Sequence, residues 1–148
     1  MATREQIAGA LFQLLTSSAT GLRTYSRRLR PLQQVTSAQM PALFLAQLNE
    51  TVEHTQDRML KLPPRRTLHF DCWLYTGSPQ ESSVIPVSEL NTIVDAIEAA
   101  LAPDPTTGGQ TLGGLVAECR ITGSIDYFQN ELGDGKNVAL IPISVLRP

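Results

Sequence analysis

His69, Asp71 and Cys72 fall within four positions of one another in RTLHFDCWLYTG. Imidazole, carboxylate and thiol are the groups from which a nucleophile, its base and its orienting partner are built. The same stretch alternates, with Leu68, Phe70, Cys72 and Leu74 on one face of an extended chain and Thr67, His69, Asp71, Trp73 and Tyr75 on the other. A strand therefore sends the thiol away from the imidazole and excludes a Cys–His dyad within it. His69, Asp71 and Trp73 stay together, so one reading of this face is a cleft in a small ligand-binding α+β domain.

The remaining chemistry-bearing residues form no cofactor or metal pattern. His54, in ETVEHTQD, has no cysteine or second histidine at zinc-ligand spacing. GGQTLGG matches neither the phosphate-cradling GxxxxGK[ST] spacing nor GxGxxG and reads as a flexible loop. Asp126, Glu131 and Asp134 lack the order of a calcium loop. Cys72 and Cys119 lie in apolar, strand-like surroundings without CxxC spacing, which predicts buried, reduced core thiols. No catalytic, cofactor-binding or metal-ligating residue is predicted.

YSRRLR, residues 25–30, is the densest charge in a chain of net charge −2. Arg27, Arg28 and Arg30 have three possible destinations: solvent, acidic groups such as Glu50 or Glu53 on a neighbouring strand or subunit, or a phosphate backbone. With 12 basic against 14 acidic side chains there is no overall field for a polyphosphate, and only Tyr25 supplies a nearby aromatic for base stacking. Protein contact is favoured over nucleic acid. The guanidinium fork suits desolvated carboxylates, so the three arginines are candidates for a subunit or partner interface. Glu50, Glu53, Trp73, Asp126 and Asp134 are the other residues expected there.

These residues need elements to hold them. The 148 residues, 42% hydrophobic and 18% charged, suit one folded domain over 1–148. Thr3 and Gln6 form a capping-box pair ahead of Ile7, Ala10, Leu11, Leu14 and Leu15, predicting a helix that stops near Ser17. Strands are expected over Thr24–Val35, from Pro41 through Ala46, and over RTLHFDCWLYTG, with 47–66 as a polar loop. Ser88 is expected to cap a second helix striped by Leu90, Ile93, Val94, Ile97 and Leu101. A Pro/Gly linker, a strand from Val116 to Ile125, the ELGDGKN loop and a strand from Val138 to Leu146 follow, with Pro142 near a sheet edge or bulge. The order α-β-β-β-α-β-β predicts an α+β fold, a mostly antiparallel mixed sheet of about five strands with both helices on one face. The opening residues lack a secretory signal and no apolar run reaches membrane-spanning length, so a cytoplasmic origin without membrane association is expected.

Several whole segments resemble one family. SRRLRPLQQV with PALFLAQLNE, RRTLHFDCWLYTG, LNTIVDAIEAALAPDPTTGGQTLGGLVAECRITGSI and VALIPISVLRP are together similar to the tail terminator (tail completion) proteins of long-tailed bacteriophages and related prophages. The resemblance implies a non-enzymatic virion subunit, assembled in the host cytoplasm and resident in the virion tail. It implies a homo-oligomeric ring, usually a hexamer, that caps the tail tube, stops its polymerisation and presents a surface for the head. Its implied partners are further copies of itself, the tail tube protein and a head completion or connector protein, with the genome passing through without sequence-specific binding. A head-tail connector or a tail tube protein is the neighbouring alternative.

Overall fold

The chain forms an α+β fold of two helices and a mixed six-stranded sheet, seen in a computed structural model that describes residues 2–54, 62–77, 87–106, 108–129 and 135–147. The first helix, α1, runs Arg4–Ser18. Thr3 Oγ1 accepts from the Gln6 amide at 3.1 Å and Gln6 Oε1 accepts from the Thr3 amide at 2.8 Å, so two otherwise orphaned donors are satisfied reciprocally. Ile7, Ala8, Leu11 and Leu15 form its buried stripe.

The sheet is built outward from β3, Arg65–Gly77, which pairs antiparallel with β2, Ala42–Glu53, on one side and β6, Lys136–Leu146, on the other. A three-residue β1, Thr24–Ser26, adds parallel to the start of β2. On the far side of β6, β4, Glu118–Ile121, pairs with its second half and β5, Asp126–Gln129, with its first. Helix α2, Ser88–Ala100, packs beside α1 on the same face of the sheet. Leu68, Phe70, Cys72 and Leu74 of β3 and Ile141, Ile143 and Val145 of β6 meet Leu11, Leu15, Leu90 and Ile97 there, in one core.

Among the described residues, the opposite face is covered at one end only. Residues 31–41 fold over it through two 3₁₀ turns, Leu32–Gln34 and Ser37–Gln39, burying Val35 and Met40 against Ala42, Phe44, Tyr75 and Val138. Tyr75 Oη donates to Arg30 O at 2.9 Å and Lys136 Nζ to Leu32 O at 3.1 Å, clamping the segment down. Trp73, one of the residues expected at an interface, packs against this small core and is partly covered by its own chain.

Four expectations need correction. The strand predicted over 24–35 ends at Ser26, because Pro31 cannot donate and the chain then turns into the 3₁₀ segments. The predicted loop 47–66 is largely strand: β2 continues to Glu53 and β3 begins at Arg65, while 55–61 lie outside the described residues. The strand predicted from Val116 to Ile125 is only Glu118–Ile121, ending before Gly123 adopts φ +80°, and a further strand not foreseen, β5, begins just past the predicted range at Asp126. Pro142 lies in an interior strand, yet its carbonyl accepts from Thr122 N at 3.0 Å, so its missing donor also faces the break between β4 and β5. In addition, Ser88 is the first residue of α2 and not its cap, and GGQTLGG is tied in place by Gln110, which donates to Ala100 O at 2.9 Å and accepts from Leu112 N at 3.1 Å.

In urea denaturation, Phe70→Ala is expected to cost about 3–5 kcal/mol, because the ring is enclosed between sheet and helices. Thr3→Ala is expected to cost about 1 kcal/mol through loss of the cap.

Candidate functional site

Beyond the small core, the second face of the sheet is open, and its polar side chains bond to one another across strands. Thr51 Oγ1 lies 3.0 Å from His69 Nε2, His69 Nδ1 lies 3.1 Å from Ser144 Oγ, and Ser144 Oγ lies 2.7 Å from Thr122 Oγ1. The register produces this row, since His69 stands opposite Asn49 on β2 and opposite Ser144 on β6. Whichever imidazole nitrogen carries the proton, one hydroxyl can accept from it and the other donate to its partner nitrogen.

A depression of about 300 Å³ opens beside this row, lined among others by Asn49, His69, Asp71, Thr122, Pro142 and Ser144. Serine, histidine and aspartate thus share one hollow, but not as a relay. Both His69 nitrogens are taken by hydroxyls, and Asp71 makes no hydrogen bond to the ring, so the orienting contact of a triad is missing. Asp71 is half-buried, and burial pushes its carboxyl above the usual carboxylate range. Cys72 points into the helix-covered core, where burial, then the Asp71 charge, push its thiol up to about 12. Cys119 is likewise buried with its thiol pushed up to about 12, chiefly by burial, so neither sulfur is a ready nucleophile. Among the described residues no three His, Cys, Asp or Glu side chains are grouped to hold a metal ion.

The predicted interface residues are scattered. Arg27 pairs with Glu5 of α1, which holds the Glu5 carboxyl below its ordinary range. Arg30 donates to Gln34 O at 2.7 Å and is structural. Arg28 is exposed, and only its backbone amide is engaged, by Ser26 Oγ at 3.0 Å. Glu53 lies at the end of β2 opposite Arg65, Asp126 is exposed at the start of β5, His54 is exposed just past β2, and Asp134 lies outside the described residues. Glu50 does meet arginines, but not those of YSRRLR.

That cluster escaped the sequence reading. On the helix-covered face Glu50 accepts from Arg4 Nε at 2.6 Å, Arg66 Nη1 at 3.4 Å and Arg147 Nη1 at 3.5 Å. Arg147, with only 9% of its side chain exposed, also donates to Ala2 O at 3.2 Å, so one carboxylate gathers the start of α1, the β2–β3 ladder and the end of the chain. Arginines at 4, 66 and 147 carry no common sequence signal; only the register of β2 on β3 and the position of α1 bring them together.

Compared with known proteins, the chain matches no family model and no curated protein. Its fold is similar to that of a chain in the solved structure of the virion of a native gene transfer agent particle. The TM-score is 0.51 and the identity 13%, over 96% of this chain and 95% of that one.

The Arg4 bonds, ahead of those from Arg66, hold Glu50 below its ordinary value of 4.5. A lowered folded value means the cluster's stabilisation is complete above that pH and is lost as pH falls through the folded value. Glu50→Gln is therefore expected to lower Tm at pH 7 by about 3–6 °C, corresponding to about 1 kcal/mol, and to flatten the loss of stability below about pH 4.5; thermal melts from pH 3 to 7 read both.

Proposed function

We propose that this chain is a structural protein of a phage-like virion, specifically a tail terminator that forms a ring on the finished tail tube, stops polymerisation and offers the joining surface for the head. The observation that carries the reading is the fold match to a virion chain, which runs over nearly the full length of both proteins. The tail-terminator resemblance of the SRRLRPLQQV, QTLGGLV and VALIPI segments supplies the finer role.

The surface supports self-association through two different patches. Leu48 and Val52 of β2 are 55% and 39% exposed at one side of the sheet, and Tyr127 and Phe128 of β5 are 40% and 39% exposed at the other. Large apolar side chains on two unlike edges suit a head-to-tail contact, which closes into a ring when the rotation between copies divides a full turn. The work is steric: no step makes or breaks a covalent bond, and the polar row on the open face is cross-strand bonding with no base poised over a nucleophile. The partners would be further copies of the chain, the tube subunit below and a head-side connector above, with the genome passing through the ring.

Deleting the gene in a producing strain tests this. Overlong tails beside unattached filled heads are expected, with normal length and joining restored by supplying the protein in trans. Unattached tails of normal length would assign a connector role instead, absence of any tube would assign the tube subunit, and normal virions would overturn the reading altogether.

A further inference from the structure

Three carboxylates among the described residues are partly buried: Glu50, Asp71 and Glu118. Glu50 is held by its arginines and Glu118 faces Arg120 at 3.8 Å, but Asp71 has neither a hydrogen bond nor an ion pair among the described residues. It sits in the depression of about 300 Å³ on the open sheet face. A carboxylate partly removed from water without a partner is less favourable than a paired one, and a cation entering the depression would relieve that cost.

Among the described basic side chains, Arg28 and Arg65 alone have no hydrogen bond or ion pair, and each is exposed. Arg65 lies on the same sheet face as Asp71 but at the far end of β3, six residues along an extended strand and out of reach of it. Arg28 follows β1 at the outer edge of the sheet, two strands from Asp71, and stands between the exposed side chains of Tyr25 and Leu29, 56% and 43% accessible. The segment thus exposes one unpaired cation next to large apolar side chains. The depression is its complement, with Asp71 inside and Leu48 and Pro142 at its wall.

We infer that Arg28 of one copy inserts into the Asp71 depression of the next, with Leu29 against the Pro142 wall. The inference rests on the ring reading above and deepens it by naming one subunit contact. The contact is heterologous, edge of one copy to open face of its neighbour, and so propagates around a ring. A guanidinium placed there would neutralise the desolvated carboxylate and dehydrate the Thr51–His69–Ser144 row beneath it.

Charge exchange tests it, in the full-length protein and in particles from a deletion strain complemented with each variant. Arg28→Glu and Asp71→Arg are each expected to weaken self-association about thirtyfold or more, and the double exchange to restore it to within a few-fold. Asp71→Asn and Arg28→Gln, which preserve shape, should weaken it less while leaving Tm unchanged, separating the contact from misfolding. A second readout pairs Arg28→Cys with Asp71→Cys: a short bis-maleimide, whose span replaces the arginine side chain that holds the two backbones too far apart for a disulfide, should give particles with a ladder of cross-linked multimers on denaturing gels, absent from either single variant. Rings that persist in both single exchanges, or particles without a ladder, overturn the contact while the ring stands. Loss of tube docking on Asp71→Asn with rings intact would assign the depression to another protein and also overturn it. Protein that forms rings neither free nor in particles overturns both readings.

Discussion

The alternation of β3 is the constraint from which the rest of the molecule follows. Its even-numbered residues from Leu68 to Leu74 are apolar and its odd-numbered ones from Thr67 to Asp71 are polar, so one face must be covered and the other need not be. A one-residue slip in pairing would exchange the two faces, and the long ladders to β2 and β6 hold the register against it. Two helices suffice for the apolar face. Among the described residues no third helix lies on the other side, and the short 31–41 segment reaches only as far as Trp73. What remains is an open polar half-sheet whose side chains must satisfy one another, as the Thr51–His69–Ser144–Thr122 row does.

Much of this was legible because the apolar pattern reports burial. The α1 stripe with its capping box, the α2 stripe and the two-sided character of β3 all follow from residues that end in the core. The pattern fails where burial stops. Residues 47–53 of β2 extend beyond the apolar core, so both faces carry polar or exposed side chains and the period-two signal vanishes although the ladder continues. YSRRLR fails in the opposite sense, its alternation matching a strand that Pro31 and the 3₁₀ turns cut short. Pairing between distant residues was not legible at all: Arg27 with Glu5, and Glu50 with Arg4 and Arg147, depend on where α1 lies against the sheet. His69 and Asp71 were recognisable as neighbours on one face, whereas their separation into a bonded imidazole and an unpartnered carboxylate required the register of β6.

The Glu50 cluster and the open face show the two ways a small sheet handles charge. On the helix side, a carboxylate with 17% of its side chain exposed is surrounded by cations from its own chain. Removing the carboxylate would leave three guanidiniums facing one another near the end of the chain. On the open side, Asp71 has no such company among the described residues, and burial alone raises its carboxyl above the ordinary range. The first arrangement stabilises the fold; the second leaves a carboxylate at the surface with no cation of its own chain beside it among the described residues.

The edges of the sheet bear on how such a subunit would meet copies of itself, as proposed, without running on into aggregates. The outer side of β2 past Leu45 has no strand neighbour among the described residues, which would ordinarily invite another strand. A register shift between Gln47 and Asn49 breaks that edge, and Glu50 and Glu53 follow it. The opposite edge is divided into four-residue β4 and β5 at the break facing Pro142. Neither edge offers a long, flat, unbroken row of backbone donors and acceptors. Strand addition is therefore disfavoured at both, and contacts between copies fall to side chains that must match in charge and shape. Backbone pairing accepts many partners and many registers, whereas side-chain matching fixes the angle between neighbours, and on the ring reading that angle must also divide a full turn for the assembly to close instead of extending as a helix.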